Sequence, residues 1–417
     1  MAEPADDAED GEDKIAKKAR LEQLEPMEIV QIYTDSYHRS MDMLNIRHPS
    51  IEPRASGHII EQIKMTQDII DNGFAYEVNG SVYFDVVKYN SSNNYGKLSG
   101  RVLDELLENT RDLAGQEEKR NGVDFALWKK AEPEHIMKWP SPWSLGFPGW
   151  HLECSTMSAK YLGDYFDIHG GGMDLLFPHH ECEIAQSQAA NGKDPVKYWI
   201  HNNMITIDGQ KMSKSLGNFI TLEELFAGSH KLLSQAFEPG TVRFFILQAH
   251  YRGTLDFSNT ALEAAEKGLN KLLNGIILAK KIATADNSTS NIAKLREECI
   301  KAISDDFNTP VLISHLFEAV RITNSVNAGE ESISKDDLKS LNSIFEDFAV
   351  DILGLSKNQN QQGDNLMDPL MDLILDIRQE SRANKDFATS DKIRDVLSKL
   401  NITTKDEDGG TSWSYEG

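Results

Sequence analysis

Apolar positions along the chain repeat at two periods, and each change of period marks an element. Residues 14–24 and 28–44 read as two helices parted at Pro26, because a proline ring breaks a helix interior. Val30, Tyr33, Tyr37, Met41 and Leu44 recur at helical spacing, which predicts one buried face on the second helix. Residues 56–72 repeat the pattern with Ile59, Ile60, Ile63 and Ile70, and Gly73 is placed to end that helix. The period falls to two in "FAYEVNGSVYFDV", where β-rich runs flank Asn79-Gly80 and predict a tight hairpin. Residues 90–101 form a polar loop.

From Trp139 the order of elements changes. "PGWHLECSTMSAKYLG" predicts a helix ending at Gly163, "DYFDIHGGG" a buried strand running into a glycine turn, and "HHECEIAQSQAANG" another helix. An α–β–α progression of this kind builds a parallel sheet covered by helices. A strand–loop–helix segment follows and carries "TIDGQKMSKSLGNFI". Beyond Asp256 the pattern is helical, with Ser258 placed as an N-cap and a polar break at 286–291. Residues 356–365, "SKNQNQQGDN", are the clearest linker, and no internal repeat occurs.

Composition narrows the class. A chain of 417 residues holds two to four domains, and 40% apolar with 26% charged residues is ordinary for a globular protein. No stretch approaches an uninterrupted apolar membrane span. The first thirteen residues hold seven carboxylates and no basic residue, which fits neither a signal peptide nor a transit peptide. Three cysteines (Cys154, Cys182, Cys299) suggest free thiols or metal ligands in a reducing compartment, so a cytoplasmic protein is expected. A net charge of −23 argues against non-specific nucleic-acid binding and leaves room for local basic patches.

Candidate chemistry gathers in the middle of the chain. His179 and Glu183 stand one helical turn apart, either to grip one metal ion or as a His–Glu pair on a capped helix start. Trp150 and Cys154 share the same spacing. The three glycines ending "DYFDIHGGG" lie where an open α/β sheet receives a ligand, or form a tight turn. Lys211 and Lys214 sit among Ser213, Ser215, Gly209 and Gly217, two cations on a small loop suited to an anion.

Taken together, a cysteine helix, a glycine-ended strand and a His/Glu helix within residues 150–183, followed by KMSKS, resemble the cysteinyl-tRNA synthetases, class I aminoacyl-tRNA ligases. "DFALWK" (124–129), "DDFNTP" (305–310) and "KDFATSDKIRDVL" (385–397) continue the likeness, which runs from about residue 13 to the end. The resemblance implies an α/β fold with a Rossmann-type core. Residues 1–50 would be a remnant of that core with a helical connection, and 51–138 a mixed α/β insertion bearing the hairpin. Residues 139–193 would be the second half of the core with a zinc site, and 194–255 the KMSKS loop with a stem-contact segment. A helical bundle for tRNA (256–355) and a small anticodon-side unit (366–417) would follow.

It also implies residue roles: Cys154, His179 and Glu183 as zinc ligands, and Trp150 as the wall beside the substrate. His169 and Asp174 would line the adenylate pocket, while Lys211, Ser213 and Lys214 act on the ATP triphosphate. ATP with Mg2+, cysteine and its tRNA are the implied partners of a monomer that uses no membrane. His180 and Glu181 read equally as supports behind the ligands or as parts of a helix cap, and Cys182 is expected to be dispensable. Two rivals stay open: a non-catalytic zinc- and tRNA-binding relative or fragment, and a ligase passing activated cysteine to an amino sugar. The 161 residues after Asp256, with Arg378, Arg382, Lys385, Lys392 and Arg394, favour a large partner such as tRNA. The His-x-Gly-His signature of class I synthetases occurs nowhere in these residues, and no cysteine precedes the insertion. The expectation is a chain lacking about a hundred residues of the first half-domain, with an exposed apolar sheet edge and little activity alone.

Overall fold

The computed structural model describes residues 14–108, 118–355, 364–400, 402–407 and 410–415. The chain forms two compact units, Met1–Leu355 and Ser356–Gly417. Among the described residues no helix is long and apolar enough to cross a membrane.

The first unit opens with α1 (Lys14–Glu22) and α2 (Pro26–Met43), where Pro26 opens the second helix at a position that needs no backbone N–H. The predicted face of α2 is corrected: Tyr33 and Tyr37 are 58% and 54% exposed, and the helix buries Ile29 and Ser40 instead. Helix α3 (Ile59–Asp71) buries Ile59, Gln62, Thr66 and Ile69. Ile60 lies on the opposite side and is 83% exposed, so it leaves the predicted core set. In both helices the apolar residues outnumber the places on the packed face, and periodicity alone does not choose among them.

Strands β1 (Ala75–Val78) and β2 (Ser81–Phe84) form the expected hairpin, with φ of 52° at Asn79 and 88° at Gly80. Two positive φ angles match the twist of the flanking strands. After short helices α4 (Val86–Asn90) and α5 (Leu103–Glu108), strands β3 (Phe125–Lys130), β4 (Trp139–Pro140) and β5 (Leu145–Pro148) complete a five-stranded sheet in the order β1-β2-β3-β5-β4. Asp124 of "DFALWK" is buried and ties this sheet together. It accepts hydrogen bonds from the Tyr76 hydroxyl (2.8 Å) and from the Val86 and Asn121 amides (both 3.0 Å).

Helix α6 (Trp150–Leu162), strand β6 (Phe166–Gly172), helix α7 (Glu181–Asn191) and strand β7 (Val196–Asn202) realise the predicted α–β–α order. β6 and β7 pair in parallel as a two-stranded sheet. The expected burial of β6 is corrected: Ile168 is half exposed, because the strand has one ladder partner among the described residues. Leu152 of α6 and Cys182, Ala185 and Ala189 of α7 join one core with Ile69, Val82, Phe84 and Trp128 of the preceding segment. The insertion sheet therefore braces the two helices that carry the candidate ligands.

β8 (Ile205–Ile207), β9 (Gln210–Lys211), α8 (Leu222–Ala227), α9 (Pro239–Leu247) and β10 (Leu255–Phe257) lead into α10 (Asn259–Ala279), α11 (Ile292–Ser304), α12 (Thr309–Asn327) and α13 (Lys335–Ile344). A single large core, including Ile207, Leu225, Phe244, Leu262, Leu316 and Phe345, runs through these elements. Ser258 caps α10 by accepting from the Ala261 amide, as expected. In "DDFNTP", Asp306 accepts from the Tyr251 hydroxyl (2.6 Å) and Arg252 Nε (2.5 Å), and Asn308 caps α12.

The second unit contains α14 (Asp364–Ala383), α15 (Phe387–Lys399) and a hairpin of β11 (Ile402–Glu407) with β12 (Gly410–Tyr415), around Met371, Leu375, Leu397 and Ile402. The predicted linker lies at 356–363 outside the described residues, and its last two positions are helical in α14. Arg378, one of the basic positions expected to favour a tRNA partner, is buried, 6% exposed.

Candidate active site

Two helices and one strand converge on the site. Gly149 precedes α6 in an extended conformation, and Gly163 ends it with a φ of 91° that a side chain would oppose. Trp150 and Cys154 thus occupy successive turns of α6, and the Trp150 ring centroid lies 4.3 Å from that of His179. His179 lies in a π-helical turn (Leu176–His180) leading into α7. The ligand atoms of Cys154, His179 and Glu183 all lie within 4.8 Å of one another. His179 Nε2 stands 3.0 Å from Glu183 Oε1, and His169 Nε2 stands 3.5 Å from Glu183 Oε2.

The electrostatics are those of a site built for a cation. Burial pushes the Glu183 carboxyl up, but His169 and His179 outweigh it and hold the group at about 2. Burial pushes the Cys154 thiol up to about 12, and the Glu183 and Glu153 carboxylates add to that. Glu153 itself is raised to about 7 by burial. A divalent ion reverses this balance by favouring the thiolate. One buried atom at the centre, His179 Nδ1, has no hydrogen-bond partner among the described residues. Such an orphan costs about 1–3 kcal/mol. Nitrogen, oxygen and sulfur donors at mutual contact distance are the donor set that zinc takes, with three protein ligands leaving a position for substrate. The residues present therefore fit zinc.

A second ring of imidazoles backs Glu183. His180 Nδ1 and His201 Nε2 are 2.8 Å apart, and burial lowers His180 to about 4. His169, expected to line the adenylate pocket, lies against Glu183 and packs its ring on His180 and Trp199 at 4.8 Å each. Asp174 is exposed on the turn after β6. The glycine run has a steric reason: a side chain at Gly172 would run into Asp174, and one at Gly171 would come within 2.7 Å of the His180 ring.

The lysine loop is ordered from within. Asp208 and Gly209 turn β8 into β9 with φ of 49° and 74°, which places Lys211 at the end of β9. Met212 packs on the large core. Asn218, 8% exposed, accepts from the Ser213 amide at 2.8 Å and donates to the Lys211 carbonyl at 3.2 Å. Ser213 and Ser215 hydroxyls meet at 3.0 Å, and Lys214 Nζ lies 5.4 Å from the Phe219 ring centroid. Among the described residues neither Lys211 nor Lys214 forms an ion pair, so both charges are open to a ligand. No hydrogen bond among the described residues joins this loop to the Cys154 cluster.

One functional support escaped sequence reasoning and another was left between two roles. Asn218 is the one missed; its place inside "KMSKSLGN" was the available signal. Glu181 is the one left between a support and a helix cap. It is 1% exposed and accepts from the amides of Gly96 (3.2 Å), Leu98 (2.7 Å) and Ser99 (2.6 Å) and from the Ser99 hydroxyl (2.9 Å). It clamps the polar loop to the start of α7. Cys182 is buried beside the Tyr95 hydroxyl at 3.5 Å, away from the cluster around Cys154.

Residues 6–267 match the family of tRNA synthetases class I (C) catalytic domain, and residues 298–357 match the DALR domain. The cysteine–tRNA ligase of Bacteroides thetaiotaomicron is 60% identical over 389 residues, covering 92% of this chain and 79% of the relative. That of Bacteroides fragilis is 59% identical over 387 residues, with the same two coverages. Among solved structures, Mycobacterium tuberculosis methionyl-tRNA synthetase in complex with methionyl-adenylate superposes with a TM-score of 0.52 at 13% identity. That match covers 80% of this chain and 78% of the other, and supports the fold alone. With so high an identity carried across 92% of its length, and a catalytic-domain match over most of it, this chain belongs to the cysteine–tRNA ligase family of class I aminoacyl-tRNA synthetases.

Proposed function

We propose that the protein activates cysteine with ATP and Mg2+ to give cysteinyl-adenylate and pyrophosphate, then passes the cysteinyl group to the 3′ end of its tRNA. The observation that carries this reading is the convergence of Cys154, His179 and Glu183 beside the Trp150 ring. These three residues would hold zinc. When bound, zinc supplies a thiophilic Lewis acid that prefers a thiolate to an alcohol. The preference matters because shape alone rejects a near-isostere such as serine by only ~10²-fold.

The chain's own residues do the rest. Trp150 walls the substrate side chain, and His169 keeps Glu183 ionised and oriented. His169, midway along β6, and Asp174, just beyond its carboxyl end, would line the adenylate pocket, near where an open α/β sheet receives its ligand. Lys211, Ser213 and Lys214 meet the triphosphate, where the ammonium groups contribute several kcal/mol as charge builds on the departing pyrophosphate. Asn218 holds the two lysines in register by bonding one backbone group on each side of Met212. The segment 256–355 and the unit from 366 take the tRNA, and the protein acts as a monomer.

Cysteine binding to the zinc-loaded protein, measured by calorimetry alongside amino-acid-dependent ATP–pyrophosphate exchange, tests this. The reading expects cysteine to bind and serine not to, with binding lost in Cys154→Ser. Equal binding of the two amino acids, or exchange driven by serine and not by cysteine, overturns it.

A further inference from the structure

The segment "DDFNTP" takes no part in the candidate site, yet its backbone is strained. Asp306 and Phe307, at the corner between α11 and α12, both have a φ of 54°. Among the described residues no other two neighbouring non-glycine residues share that left-handed region, where a bulky ring is an outlier. Core packing does not hold the ring there, since Phe307 is 50% exposed. The residues that follow fix the corner: Thr309 donates its hydroxyl to the Leu247 carbonyl at 2.7 Å, and Asn308 caps α12. A backbone held against its preference points to a task. Here the corner carries the Asp306 carboxylate out to a neighbouring turn.

That turn is residues 250–253. Asp306 Oδ1 accepts from the Tyr251 hydroxyl at 2.6 Å and Oδ2 from Arg252 Nε at 2.5 Å, and His250 Nε2 lies 3.9 Å away. The His250 and Tyr251 rings stack with centroids 4.8 Å apart, and the Gly253 amide closes the turn on the His250 carbonyl at 2.8 Å. The turn's own carbonyls hold Asn203: that of Tyr251 accepts from its amide at 2.8 Å, and that of Arg252 from its Nδ2 at 3.0 Å. Asn203 follows β7 directly and stands two residues before β8. β7 pairs with β6, the strand of His169, and β8 leads to the turn that presents Lys211. Just beyond 250–253, Asp256 of β10 accepts from the Thr206 hydroxyl at 2.6 Å and the Gly209 amide at 2.8 Å, which fixes the far end of β8. The zinc-ligand half and the lysine half of the site therefore join at Asn203, and Asn203 hangs from the turn that Asp306 grips.

We infer that Asp306 is a positioning residue for amino-acid activation, a role that rests on the function proposed above. Through Tyr251, Arg252 and Asn203 it sets the lysine loop against the half of the site that holds the amino acid. Asp306 touches no reactant, and its contribution is geometric. Ammonium groups stabilise charge on a triphosphate only when they are already aimed at it. Without the grip, β8 shifts against β7 while each strand keeps its own ladder partner. The candidate zinc ligands on α6 and α7 do not feel that shift, so binding of the amino acid is spared and the rate of activation falls.

The test compares the full chain with its Asp306→Ala, Asp306→Gly and Tyr251→Phe variants, the fold of each checked by its melting temperature. Glycine takes the left-handed backbone freely but lacks the carboxylate, so it separates the backbone from the grip. Both Asp306 variants are expected to quicken amide exchange at residues 203–209 by about tenfold, and Tyr251→Phe by less. Cysteine-dependent ATP–pyrophosphate exchange is expected to slow by roughly 10–10²-fold in both, as for a small misplacement of reacting groups. The KM for cysteine and the zinc content are expected to stay at the wild-type values. A glycine variant with wild-type protection and rate overturns the inference, whatever alanine does. Faster amide exchange at an unchanged reaction rate makes the corner structural only and overturns it too. A slower rate without faster amide exchange at 203–209, or with a raised KM for cysteine, overturns the route through Asn203. If the wild-type chain shows no cysteine-dependent exchange, the proposed activity and the role of Asp306 fall together, whereas failure of the role alone leaves the wild-type exchange intact.

Discussion

Replacing Glu181 by alanine is expected to loosen the candidate active site without touching any ligand. Its Oε1 accepts from the Leu98 and Ser99 amides and the Ser99 hydroxyl, and its Oε2 from the Gly96 amide. Hydrogen bonds to a charged group contribute about 1.5–3 kcal/mol each, and a buried donor left without a partner costs about 1–3 kcal/mol. Gly96 is buried, so its amide would be orphaned, whereas Leu98 and Ser99 are half-buried and regain part of their bonding from water. The loss should be about 3–4 kcal/mol, well short of the sum of four bonds. Amide exchange over residues 96–99 should then quicken by roughly 10²–10³-fold, since protection follows the local opening free energy. Glu181→Gln keeps one acceptor but turns an NH2 towards the Gly96 amide, and should fall between wild type and alanine. Because Glu181 opens the helix that carries Glu183, zinc affinity should drop by about 10–100-fold, as for other supports behind a metal ligand. Hydrogen exchange with a chelator competition measures both. Unchanged exchange at 96–99 together with unchanged zinc affinity would refute the clamp.

Three further outcomes follow from the same geometry. Asn218→Ala removes the bonds to Ser213 and Lys211, so trypsin should cut after Lys211 or Lys214 several-fold faster, an effect of about 1–3 kcal/mol on loop order; unchanged cleavage contradicts the role given to Asn218. Lys214→Ala should lower the rate of ATP–pyrophosphate exchange more than it raises the KM for ATP, because the charge it meets develops in the transition state. A raised KM with an unchanged rate would count against that. In chelator-treated protein, His180 is neutral when folded, with a value of about 4 set by burial, against about 6.5 unfolded. The unfolded chain binds the extra proton between those values, so this contribution is complete above about pH 6.5 and is lost as pH falls towards 4. It amounts to about 2–3 kcal/mol, and a His180→Gln variant with the same acid profile as wild type would exclude His180 as its source.

Local signals carried far in this chain, and they stopped where contacts become long-range. The hairpin at Asn79-Gly80, the end of α6 at Gly163 and the Ser258 cap are each decided by a few neighbouring residues, and each stands where the pattern put it. The His179–Glu183 pair is likewise local, one helical turn. Meeting Cys154 needed the resemblance, because nothing in spacing brings α6 against α7. Glu181 was left between two roles since its partners lie 82 to 85 residues away. The placement of His169 against Glu183 depends on how β6 sits relative to α7, which a strand pattern does not encode. On α2, Tyr33 and Tyr37 share the helical period yet face outward, because periodicity identifies an apolar stripe and not what covers it.

Cobalt(II) in place of zinc offers the most direct view of the central claim, that Cys154, His179 and Glu183 hold a metal which selects the cysteine thiol. Cobalt gives a thiolate charge-transfer absorption only when sulfur is bound. The account predicts such a band in wild type and in Cys182→Ala, its loss in Cys154→Ser, and a further rise on adding cysteine but not serine. A band that survives Cys154→Ser, or identical spectra with cysteine and serine, would contradict it.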